Sequence, residues 1–88
     1  MLFMIIEHFK GRDGKKVYQR FREQGRMAPE GLKYVASWVD PDGNRCYQVM
    51  ECDDPKLLQI WASHWDDLVD LEIIPVITSQ EMSKRMMK

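Results

Sequence analysis

The absences in this 88-residue chain narrow its class before any pattern is read. No apolar run is long. Met1 to Ile6 is ended by Glu7, whereas a membrane span needs about 20 residues. The run is also too short for a secretory signal, and no basic segment precedes it. A soluble, cytoplasmic protein without a membrane partner is expected. Cysteine is scarce, with only Cys46 and Cys52. On one extended strand they would stand about 20 Å apart, beyond disulfide reach, so both are expected to be reduced thiols. Charge of one sign is lacking too: the net charge is −1 and the isoelectric point about 6.1. That disfavours a nucleic-acid partner. The 44% hydrophobic content disfavours a disordered chain. There is no Cys-x-x-Cys, His-Glu-x-x-His, P-loop or Gly-x-Gly-x-x-Gly, so neither a metal site nor a cofactor is expected.

What is present is a clean alternation of elements. Leu2 to Phe9 is apolar on both alternating faces, as in a strand buried on both sides. Gly11 and Asp13-Gly14 break it. Helical spacing then follows from Lys15 to about Arg26, with Val17 and Phe21 on one stripe, Asp13 as a candidate cap and Gly25 as a stop. Leu32 to Val39 and Arg45 to Cys52 read as a hairpin around Pro41-Asp42-Gly43-Asn44. Asp54 and Pro55 start a second helix running to about Leu68, with Leu57, Trp61, Trp65 and Leu68 on one face. Asp70 to Ile77 is a strand that Pro75 confines to a sheet edge. Thr78-Ser79-Gln80-Glu81 opens a short terminal helix.

The order β-α-β-β-α-β predicts an α+β, ferredoxin-like domain over 1–78, with an antiparallel four-stranded sheet of order 4-1-3-2. A short helical tail follows over 79–88. In such a sheet both helices cover one face. A first strand apolar on both sides leaves the other face too greasy for a monomer, and the second strand forms an unprotected edge. A homodimer packed sheet to sheet, a dimeric α+β barrel, answers both problems.

Candidate site residues are Glu7, His8, Trp38, Gln48 and His64. Topology is expected to gather His8, Trp38, Cys46, His64 and Trp65 at one end of the sheet, where a histidine pair could serve as ligand or acid–base groups. The plainer account makes His64 a hydrogen-bonded core residue of the helix stripe and His8 a strand end. Glu7 and His8 must face opposite sides. Gln48, polar in a central strand, needs a partner. Its facing depends on register. With a Pro41–Gly43 loop, Trp38 opposes Cys46 and Ala36 opposes Gln48; with Asn44 included, Trp38 opposes Tyr47 and Ser37 opposes Gln48. Charge is segregated as well. Cations dominate from Lys10 to Arg26 and acids from Glu51 to Glu72. Either the basic helix binds an anion, or the two segments attract each other.

Several short stretches carry a family resemblance. They are Met1-Leu2-Phe3-Met4 running to Glu7-His8-Phe9, Tyr18-Gln19-Arg20-Phe21-Arg22, Gly25-Arg26-Met27, Ser37-Trp38-Val39, Met50-Glu51 and Pro75-Val76-Ile77-Thr78-Ser79. Over nearly its full length the chain resembles the small, uncharacterised bacterial family known as domain of unknown function 3303, within the dimeric α+β barrel superfamily. The resemblance implies that fold and assembly, and it transfers no catalytic residue. Dimeric α+β barrels include cofactor-independent monooxygenases, small-lactone isomerases and haem-degrading oxygenases, to which the chain is similar in architecture. In the haem-degrading group a histidine on the second helix ligates iron, and His64 lies on the corresponding helix. The first strand, however, offers Glu7 and His8 where that group has asparagine, and the third has Tyr47 where it has tryptophan.

Three functions are therefore set side by side. The first is a homodimer binding a small apolar or partly polar molecule between its sheets. The second is a cofactor-independent monooxygenase or isomerase. The third is an interaction or regulatory subunit without catalysis.

Overall fold

Alternation along the first strand sets the architecture. In the computed structural model, which describes residues 1–87, β1 (Leu2–Phe9) turns Phe3, Ile5, Glu7 and Phe9 inward and leaves Leu2, Met4, Ile6 and His8 half-buried on the opposite face. Within one chain this strand is thus fully buried on one side, and its other, equally apolar face is left half-buried. It lies between β3 (Arg45–Glu51) and β4 (Val69–Val76), antiparallel to both, and β2 (Lys33–Val39) pairs with β3. The order β2-β3-β1-β4 is the expected ferredoxin-like one read from the other edge. Pro75 falls in an edge strand, where its missing N–H is tolerated.

Two helices, α1 (Gly14–Gln24) and α2 (Lys56–Ser63), supply the cover for the inward face. Val17 from α1, and Leu58 and Trp61 from α2, join Phe3, Ile5, Phe9, Met50, Trp65 and Val69 in one buried cluster. α1 begins differently from the expectation. Asp13 makes no side-chain cap. The start is instead a close approach to the hairpin, because a Cβ on Gly14 would lie 2.7 Å from the Gly43 carbonyl oxygen. The far end follows the expectation: Gly25, at φ 71°, donates its N–H to the Phe21 carbonyl at 2.7 Å.

α2 is shorter than its apolar spacing suggests. Asp54 caps it by accepting the Lys56 N–H at 3.0 Å. It then ends at Ser63, and residues 64 to 68 continue as turns, with the Trp65 N–H bonded to the Ala62 carbonyl and the Leu68 N–H to that of Trp65. His64 lies on the exterior rather than in the helix stripe, since it precedes the buried Trp65 by one residue and points about 100° away from it. α3 (Ser79–Met86) starts on the expected cap, Thr78 Oγ1 accepting the Glu81 N–H at 3.0 Å. Lys88, the last residue of the tail read over 79–88, lies outside the described residues.

The segregated charges meet across the fold. Arg20 on α1 makes two 2.7 Å hydrogen bonds to the Asp67 carboxylate, a fork-to-fork contact. This partner holds Asp67 down at about 2, well below the usual carboxylate range. Lys10 donates to the Asp66 carbonyl at 2.8 Å. Mutual attraction therefore accounts for much of the charge pattern.

Candidate cavity between sheet and helices

The hairpin register decides which side chains can meet. Trp38 opposes Tyr47 and Ser37 opposes Gln48, so Asn44 belongs to the loop. A shift between Tyr34 and Ala36 inserts one extra residue, a bulge at Val35. On the inward face this brings Val39 beside Cys46, Cys46 beside Glu7, and Ser37 beside Gln48. On the outward face it aligns Trp38, Tyr47 and Ile6 in one row and Ala36, Val49, Met4 and Ile74 in the next.

The expected site residues therefore divide three ways. Glu7 and Gln48 line a cavity of about 190 Å³ between the sheet and the helices. His8 and Trp38 stand on the outward face, where His8 Nε2 lies 2.7 Å from the Glu72 carboxylate. His64 closes α2 on the exterior. The expected gathering of His8, Trp38 and His64 with Cys46 and Trp65 does not occur, because strand alternation sends Cys46 to the other face from His8 and Trp38.

The cavity wall is mostly apolar and aromatic, formed by Phe9, Val17, Phe21, Trp61 and Trp65 among others. Its polar groups are few and close together in the sheet. Glu7 is only 8% exposed and Gln48 3%. Burial pushes the Glu7 carboxyl above its ordinary value, while the neighbouring Cys46 thiol and the Arg26 charge pull it partly back. Burial and the Glu7 charge push the Cys46 thiol up to about 12, which keeps it protonated and a poor nucleophile. Among the described residues Glu7 enters no ion pair.

Arg26 was not among the expected site residues, and it organises the rest. It follows the helix-ending Gly25, and its carbonyl oxygen accepts both indole N–H groups, from Trp61 and from Trp65, each at 3.0 Å. Two large, buried side chains thus hold its backbone in place. Its Nε donates to Gln48 Oε1 at 3.0 Å, and the Gln48 amide donates to the Met50 sulfur at 3.7 Å. Gln48 thereby has the partner that its position demanded. The only sequence signal for Arg26 is a cation directly after a helix stop, which is too common to single it out.

A buried carboxyl with a raised pKa is a stability cost with a definite pH signature. The native state holds the Glu7 proton more tightly than the unfolded chain, whose value is 4.5. Stability from this group is therefore highest below that pH and declines as pH rises through the folded value. Glu7→Gln removes the decline. The variant is expected to melt higher than the wild type near pH 8, by about 4–8 °C if the gain is about 1 kcal/mol. Near pH 4 the gain should vanish. Equal melting curves at both pH values would show that burial of Glu7 costs nothing.

Among the described residues no cluster of histidine, cysteine or carboxylate side chains could hold a metal ion, and no helix is long and apolar enough to cross a membrane. A four-stranded antiparallel sheet with its inner face covered by α1 and α2 defines an α+β protein of ferredoxin-like architecture, here with a small, largely apolar cavity. The chain belongs to the family described as Domain of unknown function (DUF3303), whose model matches residues 1–88. Its fold is similar to the crystal structure of SCO4226 from Streptomyces coelicolor A3(2), at 15% sequence identity and a TM-score of 0.56, over 89% of this chain and 100% of that one. No curated protein matches the chain.

Proposed function

We propose that the protein is a homodimeric small-molecule-binding module that holds a small, partly polar aromatic or aliphatic molecule in the cavity under each sheet. The observation that carries this reading is the placement of Glu7 and Gln48, two buried polar residues, on the wall of a mostly apolar cavity of about 190 Å³. Apolar side chains at those two positions would serve the core better, since buried polar groups must recover their desolvation cost. A few convergent polar groups in an apolar pocket are what orients a ligand. Size restricts the guest: an apolar cavity of about 150 Å³ takes benzene, so this one suits a single ring with a small substituent. The binding place is then sheet against helices, rather than between two sheets.

The homodimer reading rests on the outward face. Trp38, Tyr47, Val49, Met4, Ile6, Ile74 and Val76 form a continuous apolar surface there, and Trp38 is 59% exposed. A second copy is the natural cover for such a surface.

Benzyl alcohol is a suitable probe for the cavity, combining one ring with one hydroxyl. The indole N–H resonances of Trp61 and Trp65 should shift on titration, because both groups lie at the cavity wall. That of Trp38 should stay fixed. Stationary Trp61 and Trp65 signals at saturating probe would contradict the binding reading.

A further inference from the structure

The cavity has one strongly charged group whose recognition edge the protein leaves open. Arg26 lies over the Tyr34 ring, 3.8 Å from its centroid, and 5.1 Å from that of Phe21. Aromatic contacts of this kind hold a guanidinium by its face and leave the in-plane N–H groups available. Of its five N–H donors, the Nε one is taken by Gln48. Among the described residues, no acceptor and no carboxylate engages the two terminal nitrogens. Its companion in the sequence, Arg20, has by contrast a full carboxylate partner in Asp67. The backbone of Arg26 is also held by the two tryptophan N–H bonds, so the side chain projects from a fixed point. A cation that is tethered at its backbone, braced on its face, hydrogen-bonded at Nε and unpaired at its fork is arranged as a receptor for a planar anion.

Building on the cavity reading above, we propose that the natural ligand is a small aromatic carboxylic acid, bound with its carboxylate on the terminal nitrogens of Arg26 and its ring among Phe21, Val17 and Trp61. Glu7 is the one carboxyl on the cavity wall. Its burial already favours the protonated form, in which it repels no anion and can donate a hydrogen bond to the guest. Cys46 stays a neutral thiol. Arg26 is the one cation on the cavity wall.

Benzoate and benzyl alcohol are near-isosteric probes that differ in charge. Titrated against the full chain and followed through the Trp61 and Trp65 indole resonances, benzoate should bind tighter by about tenfold or more. Arg26→Met should abolish that preference, bringing the benzoate affinity down to that for benzyl alcohol, while the tryptophan bonds, which go to the backbone of residue 26, survive the substitution. Arg26→Lys, which retains charge without the fork, should keep only part of the preference. Equal affinity for the two probes in the wild type would overturn the carboxylate assignment and leave the cavity reading standing. A benzoate preference that persists in Arg26→Met would overturn the role of Arg26. Failure of both probes would remove the cavity reading and this one together.

Discussion

Trp61→Ala is expected to bring the domain to the edge of unfolding. Trp61 is the largest fully buried side chain, 1% exposed, and belongs to the same buried cluster as Ile5, Met50 and Leu58. Truncating a buried tryptophan to alanine costs about 3–5 kcal/mol. Losing its N–H bond to the Arg26 carbonyl adds about 1 kcal/mol. A domain of this size has about 5–10 kcal/mol in total, so the variant should be largely unfolded at modest urea concentrations. Trp61→Phe separates the two contributions, because it retains most of the ring volume and removes the donor. Trp65 still holds Arg26, and the loss should stay near 1–2 kcal/mol. Urea unfolding followed by circular dichroism measures both variants. A loss below about 1 kcal/mol for Trp61→Ala would mean that the α2–sheet contact is far looser than described.

The second large effect is expected on assembly rather than on folding. Ile6 sits on the outward face between Tyr47 and Glu72, within the apolar surface proposed to meet a second copy. In the isolated chain it is only half-buried, so a glutamate there can reach water and the fold should survive. In a sheet-to-sheet dimer the same carboxylate is trapped without a partner, which costs several kcal/mol, or more than about a hundredfold in dissociation constant. Light scattering should therefore read twice the chain mass of 10.5 kDa for the wild type and the single mass for Ile6→Glu. Circular dichroism should be unchanged. A wild-type chain that runs as a monomer at micromolar concentration would remove the dimer reading outright.

Benzoate preference, the pH profile of Glu7→Gln and the fate of Trp61 variants probe different layers of one arrangement. The tryptophans fix the backbone of Arg26, Arg26 holds Gln48, and Gln48 and Glu7 give an apolar cavity its polar floor. Stability and binding are consequently expected to diverge at Glu7. Removing its charge should strengthen the fold while altering recognition, the usual trade at a functional site.

Much of the architecture follows from interactions that act within a few residues. A short run apolar on both faces and broken by Gly11 identifies β1, helical spacing identifies α1, and Asp54, Gly25 and Thr78 mark helix ends through bonds to groups two to four residues away. Pro75 assigns its strand to an edge by lacking a donor. Such signals survive in a bare sequence because the chain itself keeps the partners adjacent. The cavity is different. Its defining contacts join Arg26 to Gln48, Trp61 and Trp65 across 22, 35 and 39 residues. No local propensity marks Arg26, and its importance exists only once the hairpin register is chosen. Including Asn44 in the loop puts Ser37 beside Gln48 on the inward face and sends Trp38 outward; the other register pairs Trp38 with Cys46. His64 likewise stands outside the interior, because it comes one residue before the buried Trp65 and so points about 100° away from it on the helical turn. Element order and edges were thus written in local chemistry. Which side chains share the cavity was decided by tertiary packing, where a single step of register exchanges one face for the other.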